Sequence, residues 1–102
     1  MRQAQVFQNR QLAGLLEELS GGRYRFTYEE NFTGDPVSLA MPATQRVYEF
    51  NRFPPVFEGL LPEGYQLDAL LRRNKIDRND LFGQLMAVGQ DVVGSLTITE
   101  VE

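Results

Sequence analysis

Aromatic and polar side chains alternate without a break across residues 23–28. An extended strand sends every second side chain to the same face, so this pattern indicates a sheet strand rather than a helix. The aromatic face consists of Tyr24, Phe26 and Tyr28. A binding platform of exposed rings is one use for such a face. A strand packed on helices needs the same rings in its core, and we predict that role.

A hairpin is predicted before this strand. Val6 and Phe7 precede the polar pair Asn9-Arg10, and the apolar residues 12–16 follow it. Asparagine tolerates the positive φ of tight turns, whereas arginine is a poorer second turn residue than glycine. A loop of two residues and a longer loop are therefore both open. Ser20-Gly21-Gly22 then marks a turn into the next strand.

Two further strands and one irregular region are predicted. Residues 37–41 alternate and would form a short strand that ends at Pro42. Residues 43–55 are expected to be irregular, because Pro54-Pro55 excludes a regular helix there. The chain closes with a strand over residues 92–99, in which Leu96 and Ile98 oppose polar neighbours.

Three helices are predicted between the strands. A short one over residues 56–61 follows the two prolines, which preset φ for a helix start. The second begins at residue 64 or 65 and ends at residue 74, with Asp68 and Arg72 paired on its outside and Leu67, Leu70 and Leu71 on its buried face.

The third helix has Asp77 as its predicted N-cap, Asp80 near its positive end and Gly89 as its stop. Its inward stripe consists of Leu81, Phe82, Leu85 and Met86. Strands followed by helices and a last strand indicate an α+β fold. We expect a small antiparallel sheet of about five strands, packed with two or three short helices.

The absence of two residue types restricts the chemistry. The 102 residues contain no histidine and no cysteine. Ser-His-Asp and Cys-His nucleophiles, disulfides and Cys/His zinc sites are thereby excluded. We expect a chain that is not an enzyme and that has no catalytic residue, cofactor or metal.

The charge balance restricts the partners. A net charge of −4 works against non-specific attraction to nucleic acid or anionic lipid. The chain has neither the apolar stretch of a secretory signal nor a run of about 18 apolar residues. We therefore expect a cytoplasmic protein with no membrane contact.

Although the net charge is negative, one stretch of the chain is basic and consists of Arg72, Arg73, Lys75 and Arg78. Cations at the end of a helix complement its dipole, which is the simpler explanation. No base-stacking aromatic residue lies nearby in the sequence, so direct nucleic-acid binding is not expected. A secondary contact with a protein partner stays open.

Residues 53–65 combine three prolines, two glycines and apolar side chains in a short connector. Tight packing would explain its rigidity. Tyr65, however, falls at a helix start, where a side chain is commonly exposed and can anchor a partner. Packing and partner contact are both open on these grounds.

The same connector carries a family motif. Its residues Phe53-Pro54-Pro55-Val56-Phe57-Glu58-Gly59-Leu60-Leu61-Pro62-Glu63-Gly64 resemble the Pro-Pro-Phe-Phe-(Asp/Glu)-x-Leu-Leu-Pro-Glu-Gly signature of the HipA N-terminal domain family. The likeness extends to residues 9–15, 37–42 and 89–94, and so covers essentially the whole chain. Val56 replaces the first phenylalanine of the family pair, and Tyr65 stands where an indole is frequent.

The resemblance implies a function. In that family the domain normally precedes a serine/threonine kinase body, which is the toxin of a bacterial toxin–antitoxin system and phosphorylates aminoacyl-tRNA synthetases. This chain has no candidate for the kinase's catalytic and metal-binding aspartates or for a phosphate loop with its lysine. Residues 1–102 are therefore expected to be a single HipA N-terminal-like domain with no kinase body.

The resemblance then points to the split, HipBST arrangement. Three genes there encode a HipB-like DNA-binding protein, a short HipS-like protein and a HipT-like kinase. The short chain is the antitoxin, which binds and inhibits the kinase in trans, in a complex that can include the HipB-like protein. Kinase contact is expected at Phe57, Leu61, Pro62, Glu63, Gly64 and Tyr65.

The alternative is a regulatory module that acts through the HipB-like protein and operator DNA. Arg72, Arg73, Lys75 and Arg78 would then matter most, because contact with phosphate requires positive charge.

Overall fold

The computed structural model describes residues 1–91 and 94–101. Five strands and three helices follow one another as β1 (Gln3–Gln8), β2 (Gln11–Glu18), β3 (Tyr24–Tyr28), β4 (Val47–Phe50), α1 (Pro55–Glu58), α2 (Gly64–Asn74), α3 (Leu81–Val88) and β5 (Leu96–Glu100). All neighbouring strands are antiparallel, in the order β4-β3-β2-β1-β5. The predicted α+β fold is confirmed.

The hairpin between β1 and β2 is confirmed and uses the shorter of the two loops. Gln8 pairs with Gln11, so that Asn9 and Arg10 alone form the turn. Their φ angles are 51° and 70°. Two successive left-handed residues give the turn a twist that matches the flanking strands, which is why two-residue hairpins favour this conformation.

β3 supplies the centre of the core, as its alternation predicts. Phe26 and Tyr28 are fully buried, and their rings meet edge to face at 4.9 Å. Tyr24 is half-buried between Phe53 at 5.2 Å and Phe82 at 6.4 Å. The three aromatics are therefore core residues and not a binding platform.

The predicted strand over residues 37–41 is wrong. These residues form turns, with Val37 and Met41 buried and Leu39 95 % exposed. The Tyr28 hydroxyl accepts a hydrogen bond from the Val37 amide at 3.0 Å and donates one to the Met41 carbonyl at 2.5 Å. A side chain thus replaces the neighbouring strand as the partner of this backbone.

The missing strand comes from the region predicted to be irregular. β4 lies within residues 43–55 and pairs with β3, with Tyr48 opposite Phe26 and Phe50 opposite Tyr24. Tyr48 and Phe50 pack against the core, whereas Val47 and Glu49 are exposed. Residues 47–50 alternate with the two-residue period of a strand, but this segment is too short to outweigh the prolines that follow it in a prediction from sequence.

The helices agree with the prediction except at their ends. α1 stops at Glu58, earlier than predicted, while α2 and the Gly89 stop of α3 are as expected. The N-cap of α3 is Asp80 and not Asp77, since the Asp80 carboxylate accepts from the Gly83 amide at 3.0 Å. Asp77 instead accepts from the Asn79 amide at 2.7 Å and shapes the preceding turn.

The end of α3 is joined to β5. The Gly89 carbonyl accepts from the Ile98 amide at 2.9 Å, and a Cβ at position 89 would collide with the Ile98 carbonyl. The predicted closing strand is confirmed from Leu96 onward, and its residues 92 and 93 lie outside the described part of the chain. None of the described helices is long and apolar enough to cross a membrane.

Candidate partner-binding surface

The connector that carries the family motif is anchored by its first aromatic residues. Phe53 is nearly fully buried and Phe57 is completely buried, with the Phe57 ring 6.0 Å from that of Phe26. Pro54 fixes the start of α1, where its carbonyl accepts from the Glu58 amide at 3.0 Å. Phe57 is therefore a core residue in this structure and is not available to a partner, unlike the other five residues of the predicted contact.

Those five residues form the surface end of the connector. Leu61 and Pro62 are half-buried, and Glu63, Gly64 and Tyr65 are exposed. We call Leu61 and Pro62 the ridge, because a depression lies on each side of them.

Tyr65 owes its exposure to the way α2 begins. Glu63 is the extended N-cap, and Gly64 follows with φ of 58°. That left-handed value favours glycine. A Cβ at this position would meet no other atom within 4 Å, so the backbone conformation and not a lack of space is what requires glycine here. Tyr65 then lies in the first helical turn with 94 % of its surface exposed. A large ring is thus presented on a helix rather than on a loose loop.

The larger depression beside the ridge has a volume of about 390 Å³. Gly59 and Leu60 line it from the connector, Gln66 from α2, and Val88 and Asp91 from the end of α3. The smaller depression, of about 150 Å³, is lined on its outer side by Glu58 and Glu63 and on its inner side by Leu67, Leu81 and Gln84. Each is large enough to accept a side chain but shallow enough to stay open to solvent.

Val88 and Asp91 were not foreseen in this surface. They are more than 25 positions from the ridge in the sequence, and the packing of α3 against α1 and α2 brings them beside it. No local sequence pattern carries that information.

The basic stretch lies at the other end of α2. Arg72 and Arg73 occupy its last turn, Lys75 is its left-handed C-cap with φ of 54°, and all four cations are exposed. The Asp68 carboxylate pairs with Arg78 at 2.6 Å and not with Arg72 as predicted. The turn after α2 brings Arg78 back along the helix, which sequence spacing could not show.

A second apolar depression was also missed. It measures about 450 Å³ and lies between the turns of residues 38–41, the edge strand β4 and α1, with Met41, Tyr48, Phe50 and Val56 among its lining residues. Leu39 projects from the adjoining turn.

The described residues contain no group of three or more acidic, histidine or cysteine side chains that could hold a metal ion. The surface consists of a short apolar ridge with two shallow depressions, an exposed tyrosine at one end and carboxylates at its rim. These features suit contact with a protein.

The sheet order and the three helices define an α+β domain of the type found at the N terminus of HipA. The sequence model of the HipA N-terminal domain family matches residues 4–99, and the chain belongs to that family. An uncharacterised protein of Haemophilus influenzae is 31 % identical over 100 residues, which are 98 % of this chain and 93 % of that protein.

Solved structures agree. A structure described as the N-terminal domain of HipA toxin has a TM-score of 0.79 and 28 % identity, over 100 % of this chain and 94 % of that one. A Shewanella oneidensis toxin–antitoxin complex of HipA, HipB and operator DNA contains the same fold, with a TM-score of 0.71 and 18 % identity over 94 % of this chain. This chain spans 23 % of that larger one. These findings indicate a component of a toxin–antitoxin system.

Proposed function

We propose that this chain is a non-catalytic, cytoplasmic antitoxin, which binds a HipT-like serine/threonine kinase toxin in trans and inhibits it. Family membership supports the toxin–antitoxin setting. The position of Tyr65 carries the rest of the proposal. A ring that is 94 % exposed on a rigid helical turn, beside an apolar ridge, is a preformed anchor for a protein partner.

The contact would consist of Leu61, Pro62, Glu63, Gly64 and Tyr65, with Phe57 supporting it from the core. Tyrosine combines a large apolar area with a hydroxyl group and loses little conformational entropy when it is fixed. The ridge would exclude water around the ring, an arrangement common to binding hot spots.

A second candidate function is regulation through a HipB-like protein and operator DNA. The exposed basic end of α2 favours it, because Arg72, Arg73, Lys75 and Arg78 lie together there. The Shewanella complex holds HipA, HipB and operator DNA in one assembly. A ternary complex with kinase and HipB-like protein is compatible with both functions, since the basic end and Tyr65 lie at opposite ends of α2.

Co-expression of this chain with the kinase encoded beside it tests the proposal. Growth rescue and co-purification are measured in the same cells, with an inactive kinase as the control for toxicity. Rescue with a stable complex is the expected result. Rescue without a complex would favour the regulatory function, and a lack of rescue would overturn the antitoxin proposal.

A further inference from the structure

The ridge is surrounded by carboxylates. Asp91 lines the larger depression, and Glu58 and Glu63 line the smaller one. Within residues 1–91 and 94–101, Glu63 and Asp91 have no ion-pair partner, and Glu58 meets Arg52 only at 4.0 Å, with both side chains largely exposed. These charges are therefore left to solvent in the isolated chain.

Arg52 lies beside Glu58, whereas the cations of α2 lie at the far end of that helix. Arg72 and Arg73 lie in the last turn, ten or so residues from Glu63, or about 15 Å along a helix. The helix dipole explains part of this arrangement, because its positive end attracts Glu63. It does not explain Asp91, which follows α3 and reaches the ridge only through tertiary packing.

We infer that the ridge and its carboxylates bind a basic segment of the kinase, one that inserts an apolar side chain beside Leu61 and Pro62 and places lysine or arginine against Glu63 and Asp91. This inference rests on the proposed function and specifies its partner surface. Charge complementarity selects such a segment, since an acidic one would be repelled and a neutral one would leave the carboxylates partly desolvated and unpaired.

Charge reversal tests the electrostatic part. The variant E63K/D91K is compared with E29K/E30K, which changes the net charge equally at exposed residues of a separate depression. Association and dissociation rates with the inactive HipT-like kinase are measured at low and at physiological salt. We expect E63K/D91K to slow association on the order of tenfold at low salt and to flatten its salt dependence, whereas E29K/E30K has little effect.

Filling the larger depression tests the apolar part. Gly59 lines this depression, has the ordinary helical φ of −63°, and a Cβ added there would lie 3.6 Å or more from its neighbours. G59L should therefore fold and occupy the space, while G59A adds only a methyl group. We expect G59L to raise the Kd for the kinase on the order of tenfold through faster dissociation, and G59A to bind like the wild type.

The outcomes separate the two proposals. If the wild-type chain does not bind the kinase, the proposed function fails and this inference fails with it. If the wild type binds and E63K/D91K behaves like E29K/E30K, the inference is overturned and the proposed function stands. A thermal melt of each variant confirms that the chain is folded before its rates are compared.

Discussion

The guanidinium group of Arg2 donates two hydrogen bonds to the Asp80 carboxylate, at 2.8 Å and 3.1 Å. It thereby joins the start of the chain to the N-cap of α3, 78 residues away. The same group donates to Glu18 at 2.7 Å and 2.9 Å and lies 5.0 Å from the centre of the Phe82 ring. One cation thus holds β2, α3 and the edge of the core together.

Removal of this cation should destabilise the domain. The Arg2→Met substitution keeps an apolar stem over Phe82 but leaves Glu18 and Asp80 without their partner. Because all three side chains are partly exposed, we expect a loss of about 1 kcal/mol in the free energy of unfolding by urea at pH 7. Arg73→Met, on the exposed side of α2, is the control and should change it by less than about 0.5 kcal/mol. Equal losses of stability in Arg2→Met and Arg73→Met would mean that the ion pairs of Arg2 contribute nothing to the free energy of unfolding.

The cluster should also give the domain an acid-sensitive stability. The hydrogen bond from Arg2 lowers the pKa of Glu18 below its ordinary value of 4.5 and that of Asp80 below 3.8. A carboxyl group whose pKa is lower in the folded state binds protons more weakly there than in the unfolded chain. Its stabilisation is therefore complete above the ordinary pKa and is lost as the pH falls through the lowered one.

Urea unfolding at a series of pH values checks this expectation. Stability should decline below about pH 4.5, the upper of the two ordinary pKa values. In the double variant Glu18→Gln/Asp80→Asn the decline should be shallower, since the amides do not titrate and an asparagine at position 80 can still cap α3. Parallel pH curves for wild type and variant would assign the acid sensitivity to other carboxylates.

The Tyr28 hydroxyl should be the main support of the turns at residues 37–41. Burial raises the pKa of Tyr28 above its ordinary value of 10.0, so the hydroxyl, which is protonated at neutral pH in any case, donates to the Met41 carbonyl up to a higher pH than a free tyrosine would. In Tyr28→Phe this carbonyl and the Val37 amide lose a buried partner, and we expect a loss of about 2 kcal/mol. Tyr48→Phe removes a hydroxyl that donates to Pro42 at an exposed position and should cost less than about 1 kcal/mol.

Hydrogen exchange separates a local effect from a global one. The Val37 amide should exchange faster in Tyr28→Phe than the global loss of stability explains. Unchanged protection of that amide would show that the turns hold themselves without the hydroxyl.

Local patterns predicted most of the fold. The alternation of residues 23–28, the hairpin at Asn9-Arg10 and the leucine spacing of α2 each reflect a rule that acts over a few residues, although the sequence leaves the length of the hairpin loop open. Two of the errors arise where distant groups determine the local structure. The Tyr28 hydroxyl draws residues 37–41 out of the sheet, and Arg2 binds Asp80, whose cap displaces Asp77.

The candidate surface divides in the same way. Tyr65 could be found from the sequence because a proline, a glutamate and a glycine announce a helix start just before it. The burial of Phe57 could not be predicted from the sequence, since Leu61 in the same connector is also apolar and yet is only half-buried. Which apolar residue of the connector faces inward depends on where Phe26 stands in the sheet.

The basic end of α2 distinguishes the two candidate functions. Reversal of Arg72, Arg73 and Lys75 to glutamate leaves the Asp68–Arg78 ion pair in place. If these cations contact operator phosphates, the variant should weaken a HipB-containing operator complex in a band-shift experiment and reduce the slope of its salt dependence. On the antitoxin proposal neither quantity changes. A changed slope with unaltered growth rescue would mean that the chain has both partners.

Tyr65 should be the strongest single contact with the kinase. Tyr65→Ala removes an exposed ring from the first turn of α2, where alanine is a good helix residue, so the melting temperature should not fall. Truncation of a hot-spot side chain costs at least about 2 kcal/mol of binding, which is roughly a thirtyfold rise in Kd measured by titration calorimetry. Tyr65→Phe and Tyr65→Trp should retain most of the affinity if the ring rather than the hydroxyl is the anchor.

The control for this substitution is Leu39→Ala, because Leu39 is just as exposed but lies beside the other apolar depression. A loss of affinity that exposed apolar area alone produces would appear in both variants, whereas an anchor at the start of α2 predicts a loss in Tyr65→Ala only. Wild-type affinity and growth rescue in Tyr65→Ala, together with weakened binding in Leu39→Ala, would move the kinase contact to the turns at residues 38–41 and β4. That face has the separate apolar depression of about 450 Å³ between residues 38–41, β4 and α1, and would then be the surface to map next.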